Sequence, residues 1–462
     1  MELNIKPLSD SDEIEVRVVF RLPRGGALGT TASFLQIEEA LAQQLNEIGS
    51  GTTEHLLGDY DSTGEPLRCD QGQIWTSKGR AKRVIETAYG SVPIFCHVYQ
   101  TSAGGRTRVP LAERAKLVGS ATPRLARMVA AKLAQMNCGA VARDMRESHL
   151  RPMSASFAQD LGQAVAALAT VRCDLPEWQP LSACSAVATV AVGLDGAHLN
   201  TRREGWRQAM AGTIALYDAQ GERLETLYVG GGPGETPPAG KATFLSRLDE
   251  LTLRVRECYP KAQVVGLSDG AVDLQKYLAS HTDDYLLDFH HAAEHVSRAA
   301  LAFAPDGRAD APEALAWAAE QRRVLRDESG GALQVLALLR ERLRPNAKGA
   351  KDAKNHSASK SGTKRAALTK AARAAVQSVA TYFTNHISNM DYAGWQQRRL
   401  PIGSGVTEAA CKTLIKQRLC QSGMRWSIAA SDALITLRAL YLTPSLWDHF
   451  WTQNNNPSLD CL

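Results

Sequence analysis

Two apolar runs, each closing on an aspartate, constrain this chain more than any other feature. AVATVAVGLD ends at Asp195, and QVVGLSD ends at Asp269 with Gly270 directly after it. Near-continuous apolar character over a short stretch predicts strands covered on both faces, as in the middle of an α/β sheet. An acid at the tip of such a strand is a costly placement, because desolvation disfavours its charge. A divalent cation is one group that compensates. A third acid, Glu408, falls in the first turn of a predicted helix in PIGSGVTEAACKTLIKQRL. Each acid alone has an ordinary reading: Asp195 as a turn residue, Asp269 as a helix cap, Glu408 as a first-turn acid or the i,i+4 partner of Lys412. Taken together they point to a site, since functional groups gather at strand ends in open α/β sheets. Carboxylates that hold hard cations can carry out phosphodiester chemistry.

The order of elements around these acids divides the chain. Residues 1–110 read as a mixed α+β region, with a helical stripe from Ser33 to Ile48 and short strands joined by glycine-containing turns. A role in recognising a DNA end is one reading of that region. Residues 111–175 read as three helices, TPRLARMVAAKLAQMN, GAVARDMRES and SASFAQDLGQAVAALA. Thr122 and Pro123 suit the start of the first, and Ser154 or Ser156 suits the cap of the third. With arginines on exposed faces, the triplet suits a helix-turn-helix-like DNA-binding unit and equally a plain helical bundle. Residues 183–291 give three strands, a helix, a strand, a helix and a strand, which is an α/β order. Residues 292–400 turn helical, with Ala-rich runs. A basic, apolar-poor loop near 346–366 reads as mobile. Residues 401–445 carry the Glu408 helix, and 446–462 form a C-terminal tail.

Charge and cysteine usage narrow the partners. The formal charge of +5 is modest. About ten Lys and Arg fall between Arg342 and Arg373 with almost no acid to balance them, a bias that suits contact with a phosphate backbone or a solvated linker. The nine cysteines include no CxxC pair, so neither a disulfide framework nor a zinc ribbon is indicated. Cys69, Cys96 and His97 do not make a metal pattern. His291 and His295 have a chelating spacing but no third ligand. No signal peptide or membrane-spanning run is read from the sequence, and a cytoplasmic, nucleoid-associated protein is expected. Beyond Glu408, Lys412 and Lys416 follow at four-residue steps beside it. Arg418, Arg425 and Trp426 extend the basic and aromatic character toward phosphate or base contacts. Asp288 and His291 begin the helical region and suit a DNA-binding or positioning role.

At these residues a family resemblance emerges. GLDGAHLN around Asp195, GLSDGA around Asp269, DFHHAAEHV, and PIGSGVTEAACKTLIKQRLCQSGMRW around Glu408 resemble the DDE transposases of bacterial insertion sequences, Kra-type group. The resemblance covers most of the chain. It implies an RNase H-like catalytic domain, a mixed five-stranded sheet with helices, interrupted by an all-α insertion between Asp269 and Glu408. The gaps of about 74 and about 139 residues between successive acids leave room for one. Asp195, Asp269 and Glu408 would then be catalytic and would bind Mg²⁺, with Mn²⁺ able to substitute. Asp288 and His291 match the D-x-x-H signature of related Mutator-like transposases. The implied partners are transposon-end and target DNA, with a homodimer or larger assembly on DNA and no membrane. Two other readings use the same residues: an RNase H-like DNA nuclease without strand transfer, and a non-catalytic transposase-derived DNA-binding protein.

Overall fold

Alternating side chains pair the first two strands, β1 (Glu2–Pro7) and β2 (Ile14–Val19), antiparallel with Leu3 opposite Val18. The computed structural model describes residues 2–7, 13–19, 21, 33–68, 73–172, 187–235, 239–303, 311–344 and 368–452. Helix α1 (Phe34–Gly58) starts on a capping box, in which Ser33 accepts from Gln36 N and Gln36 accepts from Ser33 N. It runs ten residues beyond the predicted stripe. A four-stranded sheet follows, in the order β3 (Leu67–Arg68), β4 (Ile74–Glu86), β5 (Ser91–Thr101), β6 (Gly104–Arg108). The predicted short strands are in fact a long antiparallel pair. Gly79, expected in a turn, sits at a register shift between Ser77 and Arg80 with φ +98°, so it makes a bulge that only glycine enters without strain.

After α2 (Pro110–Arg114) come α3 (Pro123–Leu133), α4 (Cys138–His149) and α5 (Ala155–Arg172), the predicted triplet. Pro123 opens α3 at the position where its missing N–H costs nothing, and Thr122 makes no side-chain cap. Asn137 caps α4, and Ser154 accepts from Phe157 N at 3.1 Å to cap α5.

The predicted α/β order then appears as β7 (Thr189–Asn200), β8 (Trp206–Tyr217), β9 (Arg223–Gly231), α6 (Ala239–Cys258), β10 (Gln263–Ser268), α7 (Val272–His281) and β11 (Asp284–Leu287). The sheet order is β11-β10-β7-β8-β9. β7, β8 and β9 are antiparallel neighbours, while β10 and β11 run parallel to β7. The all-α insertion follows: α8 (Phe289–Phe303), α9 (Pro312–Asp327), α10 (Gly331–Leu343), α11 (Lys370–His386) and α12 (Tyr392–Gln397). Val265, Leu267, Leu286 and Leu287 of the sheet share one core with Val296, Val335, Val379, Phe383 and Trp395 of the insertion. The basic stretch 346–366 lies outside the described residues.

The chain returns through α13 (Gly405–Ala410), a π-helical turn (Cys411–Lys416) and α14 (Gln417–Leu419), and the last elements among the described residues are α15 (Ile428–Leu442) and α16 (Pro444–Thr452). Contacts divide it into two compact units, residues 1–178 with 426–462, and residues 179–425. In the first, Leu437, Trp447, Phe450 and Trp451 from the chain's end complete the core of Leu125, Val129, Met145 and Val165. Among the described residues no helix is long and apolar enough to cross a membrane.

Candidate active site

Backbone register brings the first two acids together. β7 and β10 are parallel neighbours, with Gly193 opposite Leu267. Asp195 and Asp269 each lie two residues further along, so they stand at one level: Asp269 follows the last residue of β10, whereas Asp195, expected at a strand tip, lies midway along β7, because pairing with β8 carries that strand on to Asn200. Two-residue spacing also puts each acid on the same sheet face as the residue that sets the register. Both acids are half-buried. Asp195 Oδ1 accepts from Gly196 N, the next residue of β7, at 2.6 Å, and Asp269 Oδ1 accepts from Ala271 N at 3.0 Å, in the turn that leads into α7.

Glu408 reaches the same sheet by a different route. Thr407, one residue before it, is buried, and its hydroxyl lies 2.8 Å from that of Thr213 on β8. Thr213 is opposite Gly193 across the β7–β8 ladder. A Cβ on Gly193 would overlap the Thr407 hydroxyl, so the missing side chain is what lets α13 settle on the sheet. Glu408 is exposed, and one helical turn on, at i+3, comes Cys411. Burial raises the Cys411 thiol well above its usual range. The Asp195 charge and a hydrogen bond to Asp195 push it the same way, and Glu408 adds to the rise. One thiol therefore feels both the strand-borne acid and the helix-borne acid, while Lys416 opposes them.

Asp288 fixes how that helix begins. It is fully buried just after β11. Its Oδ1 accepts from His291 N at 2.7 Å, which caps α8, and its Oδ2 accepts from Ser404 N, in the segment leading into α13. Its own N–H donates to Ser268 O at 2.9 Å, one residue before Asp269. One residue thus ties the end of β10 through its backbone N–H, and the insertion's first helix and the approach to Glu408 through its carboxylate. Gly403 leaves room for the exposed ring of His290 beside it. His291 contributes its backbone N–H here, and its ring is 6.1 Å from that of His295.

A polar group from the insertion stands behind Asp269. Tyr382 and His386 of α11 lie over Gly270. The Tyr285 hydroxyl, bonded to Ser268 at 2.9 Å, is pushed up to about 12 by burial, with Asp269 and Asp288 adding to the rise. Tyr382 rises as well, by burial first and then through Tyr285, Asp269 and Asp288. His295 stacks on Tyr382 at 3.7 Å, and burial lowers it to about 4, helped by Arg298, His291 and His386.

The remaining predicted residues divide. Lys412 and Lys416 are exposed, and so is Arg425. Arg418, expected at a phosphate, is buried at 3% exposure, on a helical stretch whose Leu414, Ile415 and Leu419 are buried too. Trp426 is half-buried and belongs to the other compact unit. Sequence reasoning missed Gly193, Thr213, Thr407 and Cys411. The one signal available was the lone glycine inside an apolar run, which marks a close approach. Among the described residues no group of three or more His, Cys, Asp or Glu is gathered closely enough to hold a metal ion by itself.

A mixed five-stranded sheet of this order, with two acids at one level of neighbouring parallel strands, defines an RNase H-like α/β framework, the fold of a nuclease superfamily. No family model matches the chain, and no curated protein matches it.

Proposed function

We propose that this chain is a metal-dependent DNA-processing enzyme that nicks DNA ends and joins them to a target, a transposase of the insertion-sequence type. The observation that carries the reading is the common level of Asp195 and Asp269 on adjacent parallel strands, with Glu408 on a helix seated against the same strand through Thr407 and Gly193. Carboxylate oxygens suit a hard cation. Mg²⁺ needs only one or two of them, because waters and substrate phosphates complete its shell. Asp195 and Asp269 fit that requirement as a pair, and Glu408 would join once DNA is bound.

Bound there, Mg²⁺ or Mn²⁺ would supply charge stabilisation at the phosphate and a more acidic water. The chain's own residues do the rest. The Gly196 amide and the Cys411 thiol would orient the Asp195 carboxylate, and the Ala271 amide would orient that of Asp269, for a cation held between them. Asp288 holds the approach to Glu408 in place. Lys412 and Lys416, exposed on the same helix, would bind phosphate oxygens as point charges. A homodimer or larger assembly would bring two DNA ends together.

The test is product analysis on a duplex built from the DNA that flanks the gene. In Mg²⁺ the wild-type chain should give both nicked and target-joined strands, and neither should form in EDTA or with Asp269→Ala. Nicks without joined products would leave a nuclease of the same fold. Equal cleavage in EDTA would end the metal-dependent reading altogether.

A further inference from the structure

The sheet of β3, β4, β5 and β6 has a charge pattern that the catalytic residues do not explain. Its basic residues are Arg68, Lys78, Arg80, Lys82, Arg83, Arg106 and Arg108, and its one acid is Glu86. Two of the arginines are engaged, Arg108 with Glu113 at 2.7 Å and Arg80 with Asp61 at 3.8 Å. Glu86 is taken by Arg151 and by Ser91. Lys78, Lys82 and Arg83 are exposed and make no ion pair among the described residues.

The arrangement of that charge matters more than its amount. β3 pairs with β4 only at Ile74 and Trp75, so from Lys78 to Ile85 the long pair β4–β5 stands as a two-stranded ribbon. Across the ribbon Lys82 is opposite Phe95 and Val84 is opposite Pro93, and Phe95 is 55% exposed. The other face, with Ile85, Ile94 and Cys96, is closed by Leu57, Leu111 and Leu117. Lysines alone could serve to keep an edge strand from pairing with a second chain. An edge guard has no use for an exposed aromatic ring opposite one of its lysines. A surface that receives a polyanion does, because the ring gives apolar contact between charges.

We infer that the open face of the β4–β5 ribbon, centred on Lys82 and Phe95, binds duplex DNA through its phosphates, with Lys78 and the exposed Arg83, which stands opposite Ile94 on the other face, adding charge along the unpaired edge of β4. An antiparallel ribbon is narrow enough for the major groove of B-form DNA. The groove of an A-form RNA duplex is too deep and narrow for it. The inference rests on the DNA-processing reading above, and adds a contact surface outside the unit that carries Asp195, Asp269 and Glu408.

The experiment is anisotropy titration of the full chain with a fluorescent 40-bp DNA duplex over a range of salt, comparing wild type with Lys78→Gln/Lys82→Gln/Arg83→Gln. Thermal melting checks that the exposed substitutions leave the fold intact. The triple variant should lose about tenfold or more in affinity near 0.15 M salt, and its log K against log salt should be shallower by about two to three, near 0.9 per phosphate contact. Unchanged affinity and slope, with wild type binding well, would overturn the ribbon site and leave the catalytic reading standing. An equal loss on an RNA duplex of the same length would overturn the assignment to DNA. Failure of the wild type to bind either duplex would remove the catalytic reading and the ribbon site together.

Discussion

At the scale of single residues, the site depends on a side chain that is absent. Gly193 lets the Thr407 hydroxyl come down onto β7 and meet Thr213 at 2.8 Å, and Glu408 is the next residue. Gly193→Ala would push a methyl into that hydroxyl. Overpacking of this kind costs about 1–3 kcal/mol. It should also shift Glu408, and a displacement near 1 Å can cost about 100-fold in rate. The expected result is a nicking rate down by one to two orders of magnitude with DNA affinity unchanged. Thr407→Ala in the Gly193→Ala background should restore part of the loss, since it removes the hydroxyl that the new methyl would meet; a purely additive double variant would refute the coupling.

At the scale of elements, α8 and α11 form the support behind Asp269. His295 of α8 lies flat on Tyr382 of α11, and Tyr382 and His386 cover Gly270. His295 is lowered to about 4 in the folded chain, chiefly by burial, from 6.5. A histidine whose folded value is depressed binds more protons when unfolded, so its contribution to stability is full above 6.5 and is lost as pH falls toward 4. His386 is lowered by burial too and acts with the same sign. Thermal melting should therefore show the 179–425 unit weakening across that window. His295→Phe should make the dependence shallower without removing it, because His386 remains. A melting profile with the same pH dependence in His295→Phe would show that His295 is not the group concerned.

At the scale of the whole molecule, what could be read in advance followed local pattern, and what could not depended on long-range register. The runs before Asp195 and Asp269 announced covered strands, and the Pro-Ile-Gly-Ser-Gly segment announced the helix of Glu408. The pairing of Gly193 with Leu267, which puts the two aspartates at one level, joins residues far apart in sequence and leaves no local trace. The same holds for Thr407 against Thr213, separated by 194 residues. Arg418 was misjudged for a related reason. A basic residue on an amphipathic helix reads as exposed until its neighbours' burial is known, and here the helix buries it at 3% exposure. The π-helical turn Cys411–Lys416 also has no sequence signature, although such turns often occur at functional sites. The C-terminal stretch looked like a tail, yet Trp447, Phe450 and Trp451 fill the core of the helical triplet.

The central claim is that Asp195, Asp269 and Glu408 work as one site. The most direct measurement is single-turnover nicking of saturating duplex DNA in Mg²⁺ by the wild type and by Asp195→Ala, Asp269→Ala and Glu408→Ala, with DNA binding recorded in parallel. Each single loss should lower the rate by about three orders of magnitude or more while binding persists, because groups that act as a unit fail together. A Glu408→Ala chain that nicks at the wild-type rate would contradict the claim and leave the two aspartates of the sheet as a site without the helix.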